Sequence, residues 1–381
     1  MKGRAPHIIN IVIFKKTFIN YKLMNSYKLN DNDKILLSHG GGGKETSQLI
    51  VNILFKELYG LNLNNDNAKN QIKLLEDAAI LNSPQKIAFT TDSFTVSPIF
   101  FKGGDIGKLS VAGTVNDLSV MGAKPLFLSL GLIIEEGFLT GDLKKIINSA
   151  AQEAKKSGVK IVTGDTKVVP RGKADGIFIN TSGIGDVLYE NISVYNIADG
   201  DAIVVSGDVG DHGAAIMSQR EGIDMDVETE SDCASLWDMI DMALKQGVIV
   251  SAIRDATRGG LAAVLNEWAL TAGVSIYIEE DKIPVRDSVK GFCELLGFEP
   301  YQLACEGRAV FAVKPECAKK ALDILKSHPL GKNARVIGVV ENNNDINNNS
   351  PDLKGKVILK GIYGVNRLLD YPSGELLPRI C

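Results

Sequence analysis

From residue 86 onward, short apolar runs alternate with stretches of helical period, and the apolar runs close repeatedly on Gly, Thr or Asp. That alternation demands mixed strands and helices and rules out an all-helical or all-β chain. A strand over 86–91 ends at Asp92. A helix is expected over Ile106 to Met121, stopped by Gly122 and Pro125, and then a buried strand from Leu126 to Ile134. A helix from Gly141 to Lys156 has Gly158 just past its end. A strand over Lys160–Thr163 runs into Gly164-Asp165-Thr166, and another covers Gly176–Val187. A second unit opens with Asp201-Ala-Ile-Val-Val-Ser-Gly-Asp208. It continues with helices near 210–221, 234–246, 259–272, 285–296 and 316–327, and strands near 274–280, 308–313 and 334–340. The pattern predicts two α/β (α+β) domains of similar size, over 34–190 and 191–370, which suits a length of 381 residues. Upstream, Ile50, Ile53, Leu54 and Leu58 share one face of an amphipathic helix over 47–59.

Charge narrows the partners. Lys and Arg number 42 against 46 Asp and Glu, and no basic block stands out, so nucleic acid is not expected. No apolar run approaches the roughly 18 residues of a membrane span. The run Ile8–Phe14 has basic flanks but no small-residue cleavage site after it, and residues 1–33 read as an extension of a cytoplasmic protein. Five cysteines, at 233, 293, 305, 317 and 381, form no C-x-x-C pair and no zinc spacing; the first four read as buried thiols.

The C-terminus differs in kind. Tyr371-Pro-Ser-Gly-Glu-Leu-Leu-Pro-Arg-Ile-Cys381 holds two prolines and a glycine, which resist helix and central strand alike. Extended, it reaches roughly 35 Å at about 3.3–3.6 Å per residue, a flexible arm tipped with sulfur. Cys381 is last rather than fourth from last, so it is no prenylation box. A free thiol has a pKa near 8.5 and needs a cationic or basic pocket to work at neutral pH.

Three further constellations carry polar chemistry. The cluster His39-Gly40-Gly41-Gly42-Gly43-Lys44-Glu45 precedes a helix; it either offers backbone N–H groups to an anion or serves as a connector, and it is not a Walker A loop. Asp92, Asp105, Asn116-Asp117 and Asp165 punctuate strands and one helix. Such carboxylates cap helices and turns, or hold magnesium together with phosphate oxygens. Gly207-Asp-Val-Gly-Asp-His-Gly213 and Arg254-Asp-Ala-Thr-Arg-Gly-Gly-Leu261 each precede an apolar helix, with Arg258 able to grip phosphate in a bidentate manner.

Together these residues closely resemble the HypE family of hydrogenase maturation factors, the carbamoyl dehydratases of nickel–iron hydrogenase assembly. The resemblance runs from about Ile35 to Cys381. It rests on the glycine cluster, Thr91-Asp-Ser-Phe-Thr-Val-Ser-Pro98, Gly113-Thr-Val-Asn-Asp-Leu118, Met121-Gly-Ala-Lys-Pro125, Thr163-Gly-Asp-Thr-Lys-Val168, Gly210-Asp-His-Gly213, Thr257-Arg-Gly-Gly-Leu261, Glu306-Gly-Arg308 and Leu377-Pro-Arg-Ile-Cys381. Several of these also occur in the wider aminoimidazole ribonucleotide synthetase-like (PurM-like) superfamily, whereas the closing Pro-Arg-Ile-Cys singles out HypE.

The resemblance implies a two-domain PurM-like fold with an N-terminal ATP-binding and dimerisation domain, a C-terminal α/β domain and the tail 371–381. It implies ATP and Mg2+ as cofactors. The carbamoyltransferase HypF would load Cys381, and a HypC–HypD iron scaffold would accept cyanide. It places Glu306 and Lys167 around Cys381, with Glu306 as the base. Gly42, Gly43, Asp92, Lys108, Asn116, Gly164, Asp165 and Thr166 would hold nucleotide, and Asp92, Asp117 and Asp165 the metal. Ala256 stands where the family commonly has proline, the segment Asn342–Ser350 looks like a loop insertion, and residues 1–33 have no counterpart. Two rival readings are a superfamily relative that phosphorylates a free small molecule, which would not need Cys381, and a non-catalytic scaffold that docks partners through the tail. A selenophosphate synthetase is disfavoured, since no cysteine precedes Cys233.

Overall fold

The structure is a computed structural model that describes residues 29–40, 45, 49–59, 86–221, 229–341, 353–372 and 379–381. Gly42 and Gly43, the Asn-rich segment and residues 373–378 lie outside the described residues. The first domain is built on a four-stranded sheet of β1 (Ile87–Phe94), β2 (Ala123–Glu135), β3 (Lys160–Val169) and β4 (Ile177–Val187), in the order β1-β4-β2-β3. Only β2 and β3 are parallel, and α2 (Thr140–Lys156) makes the crossover between them. Residues 50–59 do form the expected helical segment, with a π-helical first part, and Ile50, Ile53 and Leu54 are buried in the core.

Helix α1 (Ile106–Val120) is the keystone of this domain. Asp105 caps it by accepting hydrogen bonds from the N–H groups of Gly107 and Lys108, at 2.7 and 3.0 Å. All of its residues are buried except the two charged ones, Lys108 and Asp117, because the sheet covers one side and the second domain another. Gly107 lets α1 approach α2: a Cβ there would stand 2.1 Å from the carbonyl oxygen of Ile146.

The second domain is a seven-stranded sheet. Its strands are β5 (Ala202–Val205), β6 (Val250–Asp255), β7 (Ser275–Glu279), β8 (Ala309–Val313), β9 (Arg335–Glu341), β10 (Val357–Lys360) and β11 (Asn366–Leu368), in the order β11-β10-β7-β9-β5-β8-β6. The central strands are buried on both faces and therefore read as unbroken apolar runs. Ile203 and Val205 of β5 face α5 (Gly260–Ala272), whereas Val204 faces the cluster formed with α4 (Trp237–Lys245) and α7 (Ala318–Ser327). Helices α3 (Asp211–Glu221) and α6 (Asp287–Leu296) complete the domain. Ile216 and Trp237 of this domain join the hydrophobic core of the first.

Several expectations shift. β1 runs on past Asp92 to Phe94, which is buried against Gly113 of α1. β3 continues through Gly164-Asp165-Thr166 to Val169 because pairing with β2 holds it. β6, β10 and β11 were not foreseen. Residues 29–33 are already tied to the first domain, with Thr140 N–H bonded to the Asp33 carbonyl at 2.9 Å and Lys144 Nζ to Asp31 at 2.6 Å. Among the described residues no helix is long and apolar enough to cross a membrane.

The two glycines of contrasting surroundings give a direct test. Gly107→Ala forces a backbone clash and should lower stability by about 1–3 kcal/mol. Gly291→Ala, inside α6 with nothing within 4 Å of the added carbon, should raise it by about 0.4–1 kcal/mol. Chemical denaturation of both variants beside the parent chain checks the opposite signs.

Candidate active site

The last three residues are seated between the domains. The Thr95 N–H donates to a Cys381 carboxylate oxygen at 3.0 Å, and the Ser97 N–H donates to the Arg379 carbonyl at 3.1 Å. The Arg379 side chain returns Nε to the Thr95 carbonyl at 2.8 Å, pairs with Asp175, and lies 5.7 Å over the Phe178 ring. Ile380, 3% exposed, enters the first domain's core, and its carbonyl meets His212 Nε2 at 2.7 Å. Arg379 adopts a left-handed backbone (φ 52°), which turns the chain so that Ile380 points inward. The sequence left open whether the tail rests inside or out; in this structure its tip is docked.

The seat brings Cys381 to Glu306. Burial pushes the thiol up to about 12, the Glu306 carboxylate adds to the shift, and Arg258 opposes it. Glu306 stands between β8 and the strand-end loops, with its backbone pinned: its N–H donates to Asp232 at 3.0 Å, and its carbonyl accepts from Ala234 N–H and from Asn116 Nδ2. Gly307 makes this possible, since a Cβ there would lie 1.9 Å from the Asp232 carbonyl oxygen. Side-chain Oε1 of Glu306 is buried with no hydrogen-bond partner. Burial first, then Asp255, Asp232 and Asp92, hold its carboxyl well above the usual range, which favours its protonated form.

Asp92, Asp117 and Asp255 form the acidic wall of the site. Burial raises all three; Asp92 lifts Asp117 further, and Asp117 and Asp92 lift Asp255, which reaches about 7. Thr90 donates to Asp117 at 2.8 Å. A cavity of about 480 Å³ opens here, lined by Phe89, Thr90, Asp117, Arg254, Asp255 and Trp268 among others. Its size and mixture of aromatic and charged walls suit a nucleotide-sized ligand. Among the described residues no three Asp, Glu, His or Cys side chains converge to hold a metal ion unaided. Magnesium characteristically takes one or two carboxylates and fills its shell with phosphate and water oxygens, so a wall of mutually repelling carboxylates still fits it.

Strand alternation separates the residues named from sequence. Asp92 and Thr166 lie on the helix-covered face of the first sheet, and the buried Thr166 hydroxyl has no partner there. Asp165 and Lys167 lie on the opposite face and pair with each other at 3.3 Å, so within one chain Asp165 does not join Asp92 and Asp117. Gly164 is held in β3, paired opposite Leu130. Asn116 is engaged at both ends of its amide, with Ala234 and Glu306 carbonyls and the Leu236 N–H; it fastens the domains together rather than facing a ligand. Lys108 Nζ donates to the Gly103 carbonyl at 2.8 Å. Asp255 was passed over as part of a turn. Its signal in the sequence was the Arg-Asp pair closing an apolar run, the same punctuation that marked Asp92.

A difference titration of thiolate absorbance, parent chain against Cys381→Ser, should show almost no ionisation of Cys381 near pH 9. A free cysteine of pKa about 8.5 would already be largely ionised there.

Comparisons place these features. The AIR synthase related protein N-terminal domain matches residues 75–187, and the C-terminal domain of the same family matches residues 198–347. The carbamoyl dehydratase HypE of Escherichia coli is 44% identical over 92% of this chain and 100% of its own length. A crystal structure of hydrogenase maturation protein HypE in complex with ATP superposes with a TM-score of 0.83 at 41% identity, covering 91% of this chain and 99% of that one. A HypE–HypF complex superposes at 0.71 and 48% identity, covering 84% and 99%. The thiamine monophosphate kinase of Aquifex aeolicus, 20% identical with a TM-score of 0.53, shares the fold alone. With this identity along nearly its whole length and the docked Arg-Ile-Cys terminus, the chain belongs to the HypE family of carbamoyl dehydratases.

Proposed function

We propose that this chain dehydrates an S-carbamoyl group on Cys381 to a thiocyanate at the expense of ATP, supplying cyanide for the iron of a nickel–iron hydrogenase. The observation that carries the reading is the docking of the C-terminal tip between the domains, near enough to Glu306 for that carboxyl, whose Oε1 is buried and unpartnered, to act on the thiol.

The chemistry follows from the carbamoyl group. Its oxygen is a poor leaving group until it takes a phosphoryl group from ATP. Its nitrogen must then lose two protons as the C–O bond breaks, leaving S–C≡N and a phosphate that keeps the carbamoyl oxygen. On this reading Glu306, its backbone clamped by Asp232 and Asn116, would receive a nitrogen proton. It must first surrender its own proton. Arg258 favours that loss, and so does any cation brought to the acidic wall. Mg2+, held by Asp92 and Asp117 with Asp255 alongside, would neutralise charge developing on the phosphates. Burial of Ile380 and the core around it keeps water from the loaded sulfur.

On the same reading HypF loads the thiol, as the HypE–HypF complex suggests, and a HypC–HypD scaffold takes the cyanide. The chain works in the cytoplasm, where its five unpaired cysteines stay reduced. Its first domain, 34–190, pairs with a second copy. Ile87, Phe89 and Ile133 are exposed on the sheet face away from α1, which supports that pairing. Asp165 lies on that face and would serve the nucleotide at the interface, and Lys167 beside it would turn toward a loaded Cys381 tail.

The test is intact-mass spectrometry after incubation with HypF, carbamoyl phosphate and ATP. The parent chain should gain one carbamoyl group and then lose one water; Cys381→Ala should gain nothing. Glu306→Gln should keep the carbamoyl adduct and slow its dehydration by roughly 10²–10⁴-fold. ATP consumption on a free metabolite with no adduct would instead favour a small-molecule kinase.

A further inference from the structure

We infer that His212 is a positioning residue for the reacting thiol, holding the carbonyl of Ile380 through its Nε2–H. The inference rests on the dehydratase reading for its purpose, though not for its geometry. The Ile380 carbonyl can only accept, so at 2.7 Å the hydrogen must sit on Nε2. Nδ1 faces Ser231 Oγ at 2.7 Å. That hydroxyl already accepts from the Cys233 N–H at 3.1 Å, which turns its own hydrogen toward Nδ1. The tautomer is therefore set by a relay that starts at the backbone. Ser231 is in turn fastened to the first domain, its N–H donating to the Lys102 carbonyl at 2.9 Å. Complete burial also disfavours the imidazolium, in keeping with a ring that donates once and accepts once.

The ring lies edge-on to Phe101, with centroids 5.4 Å apart, and is wholly buried. With the tail docked the ring is wholly buried, and the Ile380 carbonyl is the acceptor its Nε2–H meets. The same helix reaches the tail twice: His212 in the first turn of α3 holds the carbonyl of residue 380, and Arg220 near its end donates to the carbonyls of Arg379 and Ser97. His212 holds the Ile380 carbonyl on one edge. Thr95 and Ser97 of the first domain take a Cys381 carboxylate oxygen and the Arg379 carbonyl on the other, the latter shared with Arg220. Together they leave Cys381 little freedom of register. One residue of slip would turn Ile380 outward and the thiol away from Glu306.

The test is the rate at which iodoacetamide alkylates Cys381 in the full chain without ATP or carbamoyl donor, read by intact mass against a Cys381→Ser blank. The docked thiol is half-buried, and burial with the Glu306 carboxyl beside it favours its protonated form, so labelling reports mainly the undocked fraction. His212→Phe, which keeps a ring against Phe101 but removes the donor, should label about tenfold faster, the effect of one lost hydrogen bond. His212→Gln, whose amide can donate from the Nε2 position, should return toward the parent rate at an unchanged thermal midpoint. Equal rates for the parent and His212→Phe, or His212→Gln as fast as His212→Phe, would overturn the assignment. Should His212→Phe fail to fold, Ser231→Ala decides: it must label faster than the parent, and an unchanged rate rejects the relay. Because no turnover is measured, a chain that fails to dehydrate carbamate would refute the proposed function and leave this result standing.

Discussion

The seating of Arg379, Ile380 and Cys381 along Thr95–Ser97 sets where the chemistry can occur. Burying one isoleucine contributes about 1.5–3 kcal/mol, and each hydrogen bond to the tail about 1 kcal/mol. Ordering three residues costs about 1–2 kcal/mol each in backbone entropy, with more for the arginine side chain. The two sides nearly offset, which suits a tip that must be held for one step and surrendered to partners for others. Tethering also makes the reaction intramolecular, so orientation replaces binding of a free substrate.

The pocket that receives the tail is electrostatically incomplete. Burial lifts Asp92, Asp117, Asp255 and Glu306 above the ordinary carboxylate range, Asp92 adds to the rise of the other three, and Arg254 and Arg258 offset it only in part. An uncharged thiol can enter such a place, whereas a thiolate is disfavoured by burial first and by Glu306 and Asp92 next, which together push Cys381 up to about 12. A carbamoylated sulfur carries no thiol proton at all, so the loaded tail escapes this penalty. On the proposed reading the same negative wall would attract a divalent cation and its phosphates, and their arrival would favour loss of the Glu306 proton when a base is needed.

Much of this was legible in the sequence. Helix α1, α2 and the central strands announced themselves through unbroken apolar runs and glycine stops, and the terminal Pro-Arg-Ile-Cys pointed to the tethered thiol. The rest depended on long-range pairing. Gly164-Asp165-Thr166 looks like a strand end, yet pairing with β2 carries β3 through it and turns Asp165 and Lys167 away from Asp92. Asn116 looks like a ligand residue beside Asp117, yet the second domain occupies its amide. β6 hides behind Ser251 and Arg254, whose polarity breaks the apolar run, and so Asp255 went unnoticed. His212 could be seen in its Gly-Asp-His-Gly motif, but its partner lies 168 residues away.

The account turns on dehydration of a carbamoyl group that remains on Cys381 while its oxygen leaves as phosphate. The most direct measurement loads the chain with carbamoyl phosphate carrying heavy oxygen in the carbamoyl group, adds unlabelled ATP, and follows the label by phosphorus resonance and mass. The account predicts one heavy oxygen in each inorganic phosphate released from ATP, in step with thiocyanate forming on Cys381. Unlabelled phosphate, with the heavy oxygen retained on the protein or lost to water, would contradict it.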